Sequence, residues 1–237
     1  MTIPPPDGPP SGMSRREWRE QQEQPAPTSV PENDASPIIP PGETLTVLTV
    51  CTGNICRSPL AEVLLRQRLE PLGVRVHSAG THALDGHGMP EEALELATQG
   101  GADPAIAAAH RARYLVEPYI TGADLVLTMA REHRSAVVKM VPGALRRTFT
   151  LREFARLAST LSTEEAQDAA RADGAPRDRF AAVLRAVGDQ RGLTPAPPAD
   201  DDVVDPYRRS RETYALSGAQ LTPALDEVER IVRAALR

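Results

Sequence analysis

One feature constrains the fold of this chain most. It is a segment typical of a buried strand, which is followed by a glycine-containing turn and then by a helical pattern. Residues 45–50 read LTVLTV, an apolar and β-branched run typical of a strand covered on both faces. Residues 60–72 then repeat apolar side chains at helical spacing. A strand, a short turn and a helix in this order begin a parallel β-α-β unit.

The same alternation continues along the chain. We predict further strands over residues 74–79, 123–129 and 147–150, and helices over 90–99, 131–141 and 221–237. Because crossovers between parallel strands are right-handed, few topologies remain. The predicted fold class is α/β: a small doubly wound, four-stranded parallel sheet with helices on both faces.

Two segments depart from this alternation. Residues 1–43 are rich in Pro, Ser, Gln and acidic residues, a composition that predicts a disordered tail. Residues 151–199 carry two or three further helical patterns, which we interpret as a helical insertion or lid. The predicted organisation is therefore a tail over 1–43 and one folded domain over 44–237.

Charge and cysteine content limit the classes of function. The net charge of -5 gives no reason to expect nucleic acid or an anionic membrane as a partner. No apolar run is long enough to span a bilayer. Two cysteines among 237 residues do not make a disulfide framework, so we expect the reducing cytoplasm. The histidines are dispersed, and we expect neither a metal nor a cofactor.

Both cysteines lie in the turn after the first strand, in the stretch VCTGNICRSPL. Such a turn is an anion-binding site, because its unpaired backbone N–H groups and the dipole of the following helix attract negative charge. The same groups stabilise a thiolate. Cys51 ends the strand, and the planar guanidinium of Arg57 suits two phosphate oxygens. Gly53 and Asn54 suit a tight turn, and Ser58 can cap the helix or donate to the thiolate. The stretch predicts a cysteine nucleophile that attacks phosphorus.

A phosphatase also needs a proton donor for its leaving group. The candidate is Asp205 in VVDPYRRS, because Pro206 restricts Asp205 to extended geometry. Tyr207 offers a stacking surface beside it.

CTGNICRSP and DPY together resemble the low-molecular-weight protein tyrosine phosphatases of bacterial type. Further matches are SAGT at 78–81, HRAR at 110–113 and LVLTM at 125–129. The resemblance covers about residues 44–150 and 200–237. It implies a metal-independent phosphatase that hydrolyses phosphotyrosine on proteins through a phosphocysteine and binds phosphate or other oxyanions.

The resemblance also assigns roles to single residues. Cys51 would be the nucleophile, Arg57 would hold the phosphoryl oxygens, and Asp205 would protonate the leaving group and then activate water. The remaining positions of the phosphate-binding loop would be Thr52, Gly53, Asn54, Ile55, Cys56 and Ser58. Supporting positions would be Ser78, His110 and Tyr207.

Three features bear on regulation and substrate choice. Cys56 resembles the family's second loop cysteine, which can form a reversible disulfide with the nucleophile. Leu84 stands where the family often has an aromatic residue, and Arg208 where a second aromatic or a glycine is common. These differences put the substrate in question more than the chemistry.

Two further functions remain open on the same residues. An arsenate reductase would form its adduct on Cys51, and with no cysteine after Cys56 it would need a small-molecule thiol. A non-catalytic module would bind phosphoproteins through Arg57.

Overall fold

A four-stranded parallel sheet is the frame of the molecule. The structure, a computed structural model, describes residues 44–171 and 175–236, and the tail predicted over 1–43 lies outside them. The strands are β1 (Thr46–Cys51), β2 (Arg75–Gly80), β3 (Leu125–Thr128) and β4 (Thr148–Thr150). They lie in the order β2-β1-β3-β4, and each neighbouring pair is parallel. The predicted fold class is confirmed.

Helices connect and cover the strands. In chain order they are α1 (Arg57–Leu69), α2 (Glu91–Gln99), α3 (Pro104–Ala109), α4 (Glu117–Gly122), α5 (Arg131–Met140), α6 (Leu151–Ala158), α7 (Thr163–Ala170), α8 (Pro176–Asp189) and α9 (Arg211–Leu236). No helix in the described part of the chain is long and apolar enough to cross a membrane.

The central strand is buried on both faces, as its apolar sequence requires. Val47 and Cys51 of β1 point into the larger core cluster, which includes side chains of α1 and α9. Leu48 and Val50 point to the opposite face and join a smaller cluster with Val137 of α5. Because helices exclude water from both faces, the carboxyl ends of the strands form the edge where ligands bind in such sheets.

The segment 151–199 contributes to the core. Its helices α6, α7 and α8 follow β4, and the buried Phe180 and Val187 belong to the same cluster as Leu225 and Val228 of α9. Among the described residues, none from this segment lines the pocket beside Cys51. The described helices of this segment therefore pack against α9 as part of one core, and the interpretation of the segment as an insertion or a lid stays a prediction.

Several helix boundaries differ from those predicted. Helix α9 begins at Arg211 rather than at residue 221 and continues through Pro223, because Tyr214 and Leu221 are buried and Gly218 packs closely on Leu96. Burial of this face outweighs the cost of an interior proline.

Three further differences involve proline. Helix α1 ends at Leu69 and continues as a 3-10 turn that contains Pro71. The short helices α3 and α4, each with a proline in its first two positions, were not predicted.

Candidate active site

A loop of residues 51–57 wraps the carboxyl end of β1 and leads into α1. Asn54 takes a left-handed conformation with φ of 54°. The loop packs against Gly80 at the end of β2, where an added Cβ would lie 2.5 Å from the carbonyl oxygen of Thr52. Gly80 is therefore needed because the loop backbone passes too close to β2 for any side chain.

The Cys51 thiol lies at the base of this loop and is only 2% exposed. Its Sγ accepts hydrogen bonds from the Asn54 backbone N–H at 3.3 Å and from the Ser58 hydroxyl at 3.0 Å. It also lies near the amino end of α1, whose dipole favours negative charge. These donors stabilise a thiolate, the form of cysteine that acts as a nucleophile.

Buried hydrogen bonds hold the loop in shape. The Asn54 side chain donates to Ser58 Oγ at 3.0 Å and to Ser78 Oγ at 2.7 Å, and its Oδ1 accepts from the Arg113 backbone N–H at 2.9 Å. His110 Nε2 donates to the Asn54 carbonyl oxygen at 2.8 Å. The structure thus brings the predicted supporting residues Ser78 and His110 to Asn54.

Glu62 completes this network and was not predicted. It lies on the buried side of α1, accepts a hydrogen bond from Ser78, and stands 3.7 Å from His110 Nδ1. Burial lowers the pKa of His110, which outweighs the opposing effects of its hydrogen bond to Asn54 and of the Glu62 charge. A glutamate among the buried positions of α1 was the available signal in the sequence.

Arg57 and Asp205, which lie far apart in the sequence, meet across the loop. Arg57 is 4% exposed, and its guanidinium donates to Asp205 Oδ2 at 2.7 Å, to the Val203 carbonyl oxygen at 3.2 Å and to Thr52 Oγ1 at 3.4 Å. The Asp205 side chain remains half exposed. A phosphoryl group that enters the loop would therefore compete with Asp205 for Arg57.

The chain before Asp205 is held by contacts with α5, with α6 and with Met129, the residue that follows β3. The Asp202 carboxylate accepts from the Arg131 backbone N–H at 2.8 Å and pairs with the Arg131 guanidinium at 3.0 Å. Asp201 pairs with Arg156 at 3.0 Å. The Val203 N–H donates to the Met129 carbonyl oxygen at 2.8 Å. These contacts set the position of Asp205, and neither Arg131 nor Arg156 was predicted.

Cys56 differs from Cys51 in its surroundings. Its Sγ lies 3.6 Å from the Tyr214 hydroxyl, and burial raises the pKa of this thiol to about 12. Burial, together with this hydrogen bond, also raises the pKa of Tyr214. Both cysteines are free thiols. Cys56 is therefore protonated at neutral pH, and a disulfide between Cys56 and Cys51 remains a prediction.

The pocket beside Cys51 has a largely apolar lining. Ile55, Leu84 and Tyr207 line it together with His82, Cys51, Arg57 and Asp205. An aryl ring fits this combination, because apolar walls hold the ring while the phosphate reaches the loop. No group of three or more His, Cys, Asp or Glu residues suited to a metal ion occurs in the range described.

Comparisons with known proteins agree with this chemistry. The model of the family "Low molecular weight phosphotyrosine protein phosphatase" matches residues 46–192. A protein-arginine-phosphatase of Geobacillus stearothermophilus is 41% identical over 108 residues, which cover 46% of this chain and 70% of that protein. A probable low molecular weight protein-tyrosine-phosphatase, EpsP, of Ralstonia solanacearum is 41% identical over 109 residues, or 46% and 72% of the two chains.

A solved structure gives the same result for the fold. The low molecular weight protein tyrosine phosphatase from T. tengcongensis superimposes with a TM-score of 0.53 at 29% identity, covering 78% of this chain and 97% of that chain. The family match ends before Asp205, so it does not cover this residue, and the role of Asp205 as proton donor stays a prediction.

Proposed function

The chain belongs to the low molecular weight phosphotyrosine protein phosphatase family, and on that premise we propose that it hydrolyses phosphotyrosine on proteins through Cys51, Arg57 and Asp205. The observation that carries the proposal is the meeting of these three residues in one pocket. A thiolate, a guanidinium and a carboxyl group are the nucleophile, the oxyanion partner and the proton donor that phosphate-ester hydrolysis requires.

The first chemical step transfers the phosphoryl group to the enzyme. The Cys51 thiolate attacks phosphorus, an S–P bond forms, and the P–O bond to the phenolic oxygen breaks. Asp205 in its protonated form gives its proton to that oxygen, so tyrosine leaves neutral. Arg57 and the backbone N–H groups of the loop bind the non-bridging oxygens, whose charge is redistributed in the transition state.

The second step regenerates the thiolate. Water attacks the phosphorus of the phosphocysteine, the S–P bond breaks, and Asp205, now a carboxylate, takes the proton from water. Inorganic phosphate leaves, and Asp205 is protonated for the next cycle. The hydrogen bonds from Ser58 and Asn54 to Cys51 Sγ stabilise the thiolate as a leaving group. Ser78 and His110 act as supports of Asn54, and Tyr207 packs on the substrate ring.

Phosphoarginine is the competing substrate, because one relative is named a protein-arginine-phosphatase. A guanidinium leaving group is polar and is better held by carboxylates than by an apolar wall. The apolar side chains of Ile55, Leu84 and Tyr207 in the pocket lining therefore favour an aryl ring. Arsenate reduction, and phosphoprotein binding without catalysis, are the two competing functions that the same pocket allows.

Hydrolysis of para-nitrophenyl phosphate and of matched phosphotyrosine and phosphoarginine peptides, in the presence of a chelator, tests the proposal. We expect turnover of the first two substrates by the wild type, no turnover by Cys51→Ser and strongly reduced turnover by Asp205→Asn. A folded wild type without phosphatase activity would contradict the proposal and leave arsenate reduction with small thiols as the next candidate.

The domain limits and the cellular location are further parts of the proposal. Residues 44–237 form one phosphatase domain, which is supported by the shared core of α8 and α9. The reducing cytoplasm is its proposed location, which is supported by the two free thiols.

A further inference from the structure

We propose that Arg208 forms a subsite at the pocket mouth for an acidic residue next to the phosphotyrosine of the substrate. The inference rests on the proposed phosphotyrosine phosphatase function and adds a substrate class: acidic phosphopeptides.

The first observation is the backbone conformation of Arg208. Residues 206–209 form a turn, in which the Arg209 N–H donates to the Pro206 carbonyl oxygen at 2.9 Å. Within this turn Arg208 has φ of 57°, a left-handed value that favours glycine or asparagine. Such strain in a non-glycine residue costs on the order of a few RT and is found preferentially at binding and catalytic sites.

The second observation is where the strained residue places its charge. The Arg208 guanidinium carbon lies 5.1 Å from the centre of the Tyr207 ring, within cation–π distance. Tyr207 itself lines the pocket. The contact therefore places the positive charge of Arg208 beside the pocket that a substrate phosphotyrosine would enter. It also reduces the number of conformations open to the long Arg208 side chain.

The third observation is that this charge is not neutralised. Nearby, Arg57 pairs with Asp205 at 2.7 Å and Arg211 pairs with Glu95 at 2.8 Å. Over residues 44–171 and 175–236, by contrast, no carboxylate forms an ion pair with Arg208. An exposed cation beside the pocket, with no ion pair among the described residues, suits a carboxylate supplied by the substrate, which would add both affinity and a faster encounter.

Arg208→Gly is a sharp test, because glycine adopts positive φ without strain. The variant removes the charge while relieving the backbone, so it is expected to fold, and thermal unfolding checks this. The matched control is Arg146→Ala, which also removes one exposed positive charge. Arg146 lies just before β4, at the amino end of that strand, whereas the site lies at the carboxyl end of β1. Arg208→Gln supplies a second variant that retains a side chain.

The measurement compares kcat/KM for two phosphotyrosine peptides that differ only in having Glu or Gln on both sides of the phosphotyrosine. We expect the wild type and Arg146→Ala to prefer the Glu peptide by about threefold, the scale of an exposed ion pair. Arg208→Gly and Arg208→Gln should lose that preference, and raised salt should weaken it in the wild type.

Equal kcat/KM for the two peptides in the wild type, or a preference that survives both Arg208 substitutions, would overturn the subsite alone. If the wild type hydrolysed neither peptide, the proposed function would fail, and the subsite with it.

Discussion

His133 Nε2 lies 2.8 Å from Thr52 Oγ1, which joins the first turn of α5 to the phosphate-binding loop. His133 is 1% exposed. Thr52 Oγ1 also accepts a hydrogen bond from Arg57 at 3.4 Å. The contact therefore positions the Thr52 hydroxyl beside Cys51 and, through it, one guanidinium nitrogen of Arg57, the proposed phosphate ligand.

Removal of the Thr52–His133 hydrogen bond should weaken oxyanion binding. We expect Thr52→Val and His133→Leu each to raise the inhibition constant of inorganic phosphate by about tenfold, the scale of one hydrogen bond to a polar partner. Because both act through one contact, the double variant should lose no more than the more affected single variant. His133→Gln, which retains a nitrogen donor, should recover part of the loss. Losses that multiply in the double variant would show that the contact does not couple the two residues.

The stability of the protein should fall with acidification because of His133. Burial first, and the positive charge of Arg57 second, lower the pKa of His133 from 6.5 to about 4. Between these values the unfolded chain binds more protons than the folded chain, so the free energy of unfolding decreases as the pH is lowered through this window.

The matched variant is His133→Gln. Between neutral pH and pH 4, the free energy of unfolding should fall less in this variant than in the wild type. The difference between the two decreases should be up to about 3 kcal/mol. Some acid sensitivity should remain, since burial also lowers the pKa of His110. Urea unfolding at several pH values gives the comparison, and equal losses in the two proteins would contradict the assignment.

Asp202 should matter most for substrates with poor leaving groups. Its contacts with Arg131 hold the chain three residues before Asp205, so Asp202→Ala should misplace the proton donor. Protonation contributes more when the leaving group is a strong base. We expect about a tenfold loss in kcat/KM, which reports the first chemical step, with phenyl phosphate and a smaller loss with para-nitrophenyl phosphate. The control is Asp200→Ala in the same acidic stretch. Equal losses on both substrates would indicate a general structural effect.

Gly80→Ala should disturb the phosphate-binding loop. The added Cβ would lie 2.5 Å from the Thr52 carbonyl oxygen and 3.0 Å from the Asn54 backbone nitrogen, and both are main-chain atoms that cannot rotate away. We expect kcat/KM to fall by at least about tenfold. Gly122→Ala is the matched control, because nothing lies within 4 Å of its Cβ position. Wild-type activity in a folded Gly80→Ala protein would mean that the loop is less constrained than the contacts indicate.

The sequence predicted the elements whose causes are local. Cys51 and Arg57 lie within one loop, so their spacing and the apolar strand before them were sufficient to locate the proposed phosphate-binding loop. Asp205 was a candidate from its Asp-Pro-Tyr sequence and was supported by the family resemblance, but no local pattern shows that its loop returns to Arg57. Glu62, His133 and Arg131 were missed for the same reason: their contacts depend on how helices pack on the sheet. Helix α9 began earlier than predicted because burial of Tyr214 and Leu221, rather than local periodicity, determines its start.

The central claim, a phosphoryl group carried by Cys51, is tested most directly by trapping the intermediate. The wild type is mixed with para-nitrophenyl phosphate, quenched in acid within one turnover, digested and analysed by mass spectrometry. We predict one added phosphoryl group on the peptide that contains Cys51 and none in Cys51→Ser. Turnover by the wild type with no such adduct, or with the phosphoryl group on another residue, would contradict the claim.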